Sequence, residues 1–137
     1  MHTLGQEDYE RLLALRTGLR RFLNWSGQQA EAAGLTPAQH QLLLAVRGHP
    51  DPRGPTIGDV AAYLLVRHHS AVELVNRAAA AGLVARQADA DDGRTVRVVL
   101  TPLGAERLET LAASHLEELR RLSSQLRTLW VGLGPDG

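Results

Sequence analysis

Cysteine is missing altogether from the 137 residues. With it go disulfides, thiolate metal sites, a cysteine nucleophile and thiol-based redox sensing. Aromatic residues make up only 4% of the chain, which leaves few side chains from which to wall an aromatic pocket. No apolar run approaches the ~18 residues that a membrane span needs. The opening stretch MHTLGQEDYE carries acids where a secretory signal has its apolar region, so a cytoplasmic protein without a membrane partner is expected. Neither sign of charge is in excess, since 15 basic residues meet 15 acidic ones. A chain without an overall basic field can meet nucleic acid only through a local patch. Enzyme signatures are absent too: there is no G-x-S-x-G, no phosphate-binding glycine loop, no H-E-x-x-H and no convincing carboxylate pair. Ser70 does follow His69, but adjacent helical residues point about 100° apart, a poor nucleophile–base geometry. No enzyme activity and no cofactor are expected.

Lysine is the other missing residue, so all 15 basic side chains are arginine. Arginine suits bidentate contacts to phosphate and guanine. Compositional bias is the plainer explanation in a chain this rich in Ala, Leu and Gly. The rest is ordinary for a globular protein, 44% hydrophobic and 22% charged, of a length that suits one domain over 1–137.

Helical spacing of Leu12, Leu15, Leu19, Phe22, Leu23 and Trp25 predicts a helix from Tyr9 to Ala33, stopped by Gly34. Thr36, Pro37 and Gln39 then form a capping box with proline at the first helical position. The helix they open runs to Gly48. GHPDPRGP is a loop, and Thr56 with Asp59 starts a third helix reaching about Leu64. After a short turn, LLVRHHSAVELVNR carries an apolar stripe of Ala71, Leu74, Val75 and Ala78, ending at Gly82. LVARQ and TVRVVL read as strands of a hairpin around ADADDG. From Thr101, Leu108, Ala112, His115, Leu119, Leu122, Leu126 and Leu129 alternate steps of three and four. So narrow a seam resembles a coiled-coil face and predicts packing on a second chain, with His115 in the interface.

Two helices a turn apart followed by a hairpin describe a winged helix-turn-helix, whose second helix fits the major groove. The expected architecture is mainly α with a small two-stranded β wing. Residues 35–100 form the winged helix-turn-helix, flanked by dimerisation helices at 7–33 and 101–131. On the second helix, His68, His69, Ser70, Glu73, Asn76 and Arg77 face outward with the donor–acceptor repertoire that base edges require.

DGRTVRVVLTPLG (92–104) fits the pattern Asp-x-Arg-x-x-x-Val-x-Leu-Thr-x-x-Gly, and in this it resembles the wing of the MarR (multiple-antibiotic-resistance regulator) family. GLTPAQ, TIGDVAAYL and RHHSAVELVNR…GLV are similar to that family in the same order, over nearly the whole chain. The resemblance implies a homodimeric regulator of a pseudo-palindromic operator in double-stranded DNA. It also implies release by a small aromatic or anionic effector bound between the dimerisation and DNA-binding regions. It assigns Arg94 to the minor groove, where narrow A·T-rich DNA concentrates negative potential. Asp92 becomes the acid that braces the wing by pairing with arginine, and Arg67, His68, His69, Ser70 and Arg77 belong to the recognition helix. The family wing often reads Asp-Pro-x-Asp-Arg-Arg, whereas here Ala90 replaces proline and Gly93 the first arginine. Arg67 stands where a serine cap is common.

Several residues carry two readings. Glu73 accepts a hydrogen bond from cytosine, or it closes a capping box with Ser70 as N-cap, which moves His68 and His69 into the turn. His69 and Glu73 share a helical face, but zinc wants three or four ligands, and no motif links them to His40, His49 or His115. No metal is expected. Arg21, Trp25, His40 and Arg47 are the candidates for an effector cleft, against plain core roles for Trp25 and His40. The competing function is a dimeric interaction module that has lost DNA binding, a reading supported by the neutral charge and by Gly93.

Overall fold

Three of the helices begin with the same local chemistry. In a computed structural model, which describes residues 3–130, the Thr36 hydroxyl accepts from the Gln39 backbone N–H at 3.1 Å. The Gln39 side chain accepts from the Thr36 N–H at 3.0 Å. Thr56 and Asp59 repeat the exchange at 3.1 and 3.0 Å, and the Thr101 hydroxyl accepts from the Gly104 N–H at 3.0 Å. Each threonine satisfies donors that a helix start leaves open. Replacing Thr36 with alanine is expected to cost about 1 kcal/mol, read as a lower urea midpoint at unchanged slope.

The elements in order are α1 (Gln6–Ala32), α2 (Pro37–Gly48), α3 (Ile57–Leu64), α4 (His68–Ala80), β1 (Val84–Ala88), β2 (Val96–Leu100) and α5 (Pro102–Trp130). α1 starts three residues before the expected Tyr9. There the Gly5 N–H donates to the Asp8 carboxylate at 2.9 Å and the Asp8 N–H returns a bond to the Gly5 carbonyl. Gly34 ends the α1 region in the left-handed conformation (φ 82°), as a glycine there can at little cost. Leu65 adopts the same conformation between α3 and α4 (φ 55°) although it is 91% exposed. No burial compensates that conformation, so the turn is fixed by its helices.

The core lies within the helix-turn-helix and under the first turns of α5. Leu42, Leu43 and Val46 of α2 meet Val60 of α3, Ala71, Val75 and Ala78 of α4, Val84 and Val98 of the strands, and Leu108 and Leu111 of α5. β1 and β2 pair antiparallel from Val84↔Leu100 to Ala88↔Val96. The free edge of β2 is tied to the start of α3: the Val98 N–H donates to the Pro55 carbonyl at 2.9 Å, and Thr56 bridges Arg97. The wing is thus anchored to the body rather than projecting as an isolated hairpin.

The leucine seam of α5 is not a single outward face. Leu108 and Leu111 are buried, His115, Leu122 and Leu126 are half-buried, and Ala112, Leu116 and Leu119 are exposed. The inward stripe runs 104, 108, 111, 115, 118, 122, because α5 packs on α1 and α2 of its own chain and so follows the 3.6-residue period. A Cβ placed on Gly18 of α1 would lie 3.4 Å from Leu122 Cδ1, which shows how closely the two helices approach. His115, which the seam placed in the interface, thus takes part in the chain's own packing. The side chain of Leu129 and the residues from 131 onward lie outside the described part.

Candidate nucleic-acid interface

α4 begins at His68. Arg67 is its N-cap residue, with extended backbone (φ −72°, ψ 156°) and no side-chain cap. Ser70 is therefore the third helical residue and not the cap, so the capping-box reading of Ser70 and Glu73 does not hold. The helix buries Ala71, Val75 and Ala78, packs Leu74 partly against the core, and exposes His68, His69, Glu73, Asn76 and Arg77, with Ser70 half-buried. Its exposed polar side chains make no hydrogen bond or ion pair within the chain among the described residues. A row of unengaged donors and acceptors on a helix backed by small aliphatic residues can dock as one rigid body and offer its polar groups to base edges and phosphates.

The wing tip spans 89–95 between the strands. Asp92 shapes it, but not through arginine. Its carboxylate accepts from the Arg94 N–H at 3.0 Å and from the Thr95 hydroxyl at 3.1 Å. The expected pairing of Asp92 with an arginine is thus corrected: Asp92 closes the turn and leaves the Arg94 side chain exposed, without a protein partner among the described residues.

The arginine brace comes from elsewhere. Arg53, in the loop before α3, pairs with Asp51 at 2.8 Å, Asp89 at 3.2 Å and Asp91 at 3.3 Å. Beneath it Arg97 of β2 reaches Asp89 at 3.8 Å and Asp51 at 3.9 Å, and donates to the Gly54 carbonyl at 3.1 Å. Hydrogen bonds from Arg53 hold the Asp51 carboxyl well below the usual carboxylate range. A backbone bond from Thr56 lowers that of Asp59. The sequence marked Asp51 and Arg53 only as part of a Pro/Gly-rich loop. No spacing rule joins Arg53 to residues 36 and 38 positions away.

The four effector candidates do not converge. Arg21 and Trp25 line a groove of about 850 Å³ between α1 and α5, with Phe22, Leu122 and Arg121 also on its walls. His40 is buried beside it, its ring 4.7 Å from that of His115, which lies 4.8 Å from Trp25. Arg47 sits apart, in a shallow cleft with His49, Asp51 and Val98. His49 bonds the Tyr63 hydroxyl at 2.8 Å and faces Asp59 at 3.7 Å. Of the histidines weighed as metal ligands only His40 and His115 come together, and no cluster of three ligands forms among the described residues. Nor is any helix among them long and apolar enough to cross a membrane.

A helix-turn-helix with a polar outer face on its second helix, a two-stranded wing anchored beside it and two long flanking helices define a winged-helix protein. Residues 33–95, which hold α2, α3, α4 and β1, match the model of the MarR family. The fold extends beyond that segment. AbsC, a MarR family transcriptional regulator from Streptomyces coelicolor, superposes with a TM-score of 0.75 at 20% identity, over 98% of this chain and 95% of its own. The DNA complex of MepR from Staphylococcus aureus gives 0.68 at 22%, over 90% and 86%. BpsR from Bordetella bronchiseptica, whose DNA binding is regulated by 6-hydroxynicotinic acid, gives 0.59 at 24%, over 90% and 81%. No curated protein matches the sequence.

Proposed function

We propose that this chain is a cytoplasmic DNA-binding transcriptional regulator, a homodimer that represses by occupying a pseudo-palindromic operator. The observation that carries the reading is the outer face of α4, where His68, His69, Glu73, Asn76 and Arg77 stand exposed beside an equally exposed Arg94 on the wing. In this reading α4 enters the major groove and Arg94 the minor groove, with half-sites about 34–36 Å apart. A second copy supplies the symmetry. The apolar side chains that support it are Leu12, Leu13 and Leu23 of α1, 62–67% exposed, with Leu116 of α5 at 55%. Lone surface leucines need no explanation, but a run of them on the two helices flanking a winged helix does. The Arg21–Trp25 groove suits a small aromatic or anionic effector, as a cation beside an aromatic wall does. Such a ligand shifts the protein off DNA only if it binds the two spacings of α4 unequally.

The test is a binding titration on the DNA upstream of the protein's own gene at two salt concentrations, with wild type and Arg94→Ala. Tight binding that weakens steeply with salt is expected. The substitution is expected to flatten the slope of log affinity against log salt by about 2 for a dimer, one charge per wing. No binding at low salt would sink the operator reading and leave a dimeric interaction module in its place.

A further inference from the structure

Among the described residues His40 is the one polar side chain in the buried core, only 7% exposed. It stands on α2 where the winged helix meets α1 and α5. Its ring nitrogens have no hydrogen-bond partner among the described residues, whereas those of His115 are both engaged. His115 Nδ1 lies 2.9 Å from the Leu111 carbonyl and Nε2 lies 2.7 Å from the Ser26 hydroxyl. A carbonyl only accepts, so Nδ1 carries the proton, and Nε2 of the neutral ring accepts from Ser26. Phe22 and Trp25 of α1 complete the cluster, with ring centroids 6.1 and 4.8 Å from His115. The packing thus suits two neutral imidazoles and offers an added charge on His40 no acid to pair with within the chain among the described residues.

We propose that the His40–His115 pair is a proton-operated switch: as pH falls, protonation of His40 loosens α2 from α1 and α5 and releases the protein from DNA. The proposal rests on the operator reading for its output. Its geometry is that of a wedge, since a charge entering a largely buried aromatic cluster is poorly solvated there and must draw in water or push the helices apart. Burial first, and then the charge of a protonated His115, hold the His40 imidazole below its ordinary range. His115 is the one titratable neighbour that shifts it. α1 faces the pair with Phe22, Trp25 and Ser26, none of them charged, while Arg21 of α1 and Glu118 and Arg121 of α5 line the adjoining groove. The sign follows from linkage. Below about pH 6.5 the unfolded chain accepts a proton that the native one resists. The contribution to stability is therefore whole above that range and shrinks as pH drops towards the native value.

The experiment compares DNA affinity of wild type and His40→Phe from pH 7.5 to 5.5 at fixed salt, on whichever fragment the wild type binds at pH 7.5. The exposed histidines of α4 are common to both proteins and cancel in the comparison. Wild type is expected to lose about tenfold more affinity than the variant. In parallel, Trp25 fluorescence in a Trp130→Phe background reports the cluster without DNA. It is expected to titrate with His40 present and stay flat with His40→Phe. If His40→Phe misfolds by circular dichroism, His40→Gln takes its place. Parallel affinity profiles overturn the switch, whatever the fluorescence does. A flat Trp25 signal in wild type overturns it as well. Failure to bind DNA at any pH with the Trp25 titration intact overturns the operator reading instead, and release from DNA with it.

Discussion

Alanine at position 54 is expected to lower folding stability by about 3 kcal/mol and to detach the wing from the body. Gly54 is buried, at φ 94°, between the proline-rich loop and β2. A Cβ there would run into the Val98 carbonyl oxygen, 3.1 Å from its carbon and 3.3 Å from Val99 Cγ1. The obstacle is backbone in a paired strand, which cannot rotate away as a flexible side chain would. The left-handed conformation contributes roughly 1–2 kcal/mol and displacement of the strand roughly 1–3 more. Two bonds are lost with the shift, from the Gly54 N–H to the Asp51 carbonyl at 3.0 Å and from Arg97 to the Gly54 carbonyl at 3.1 Å. Gly93 is the control. It sits exposed at the wing tip with nothing within 4 Å of an added Cβ, so Gly93→Ala is expected to stay within about 0.5 kcal/mol of wild type. Urea unfolding followed by circular dichroism separates them, and equal midpoints for Gly54→Ala and Gly93→Ala would contradict the close approach.

These two glycines mark the line between what could be read in the sequence and what could not. Gly93 belongs to a local pattern, a turn between two strands, and the hairpin was legible for that reason. So were the starts of α2, α3 and α5, because Thr36, Thr56 and Thr101 act on residues three positions away. Which side chains α4 exposes was legible too, since period 3.6 puts Ala71, Val75 and Ala78 on one side and leaves the polar residues for the other. Its first residue was not. Arg67 and Ser70 both make acceptable starts by residue type, and the choice is made by extended backbone at Arg67. Contacts between distant residues had no local signal at all. Arg53 meets Asp89 across 36 positions, and Ser26 meets His115 across 89. Nothing periodic announces either. The α5 seam misled for a related reason: steps of three and four fit a 3.5 and a 3.6 period equally well over three heptads, and only the presence of α1 and α2 beneath it decides.

Arg97→Met is the second substitution expected to act strongly, and it links that invisible brace to DNA binding. The Arg97 side chain is 14% exposed, between Asp51 and an Asp89 side chain only 8% exposed. Its Nε is buried without a partner, so the site is already imperfect. Methionine keeps the volume and would relieve that unpaired atom, yet it leaves the Gly54 carbonyl short of a donor and Asp89 dependent on Arg53 alone. Breaking a fully buried pair costs about 3–5 kcal/mol. Here the ionic distances are long and Arg53 remains, so about 2 kcal/mol is the expected loss, close to that of one unsatisfied buried group. Arg53→Met removes a half-exposed arginine whose ion pairs are screened by water, and a smaller effect is expected. A double-mutant cycle of Arg97→Met with Asp89→Asn should show coupling, because the two side chains share one network. The functional consequence separates brace from contact. Arg94 loses no partner in Arg97→Met, and the backbone bond from Val98 to Pro55 stays, but the base of the wing loses its side-chain tie to the loop before α3. If Arg94 works from an anchored wing, Arg97→Met flattens the salt dependence of DNA binding as Arg94→Ala does, and the double variant is no weaker than Arg94→Ala alone. A full additive loss in the double variant would mean that Arg97 supports α3 and α4 rather than the wing.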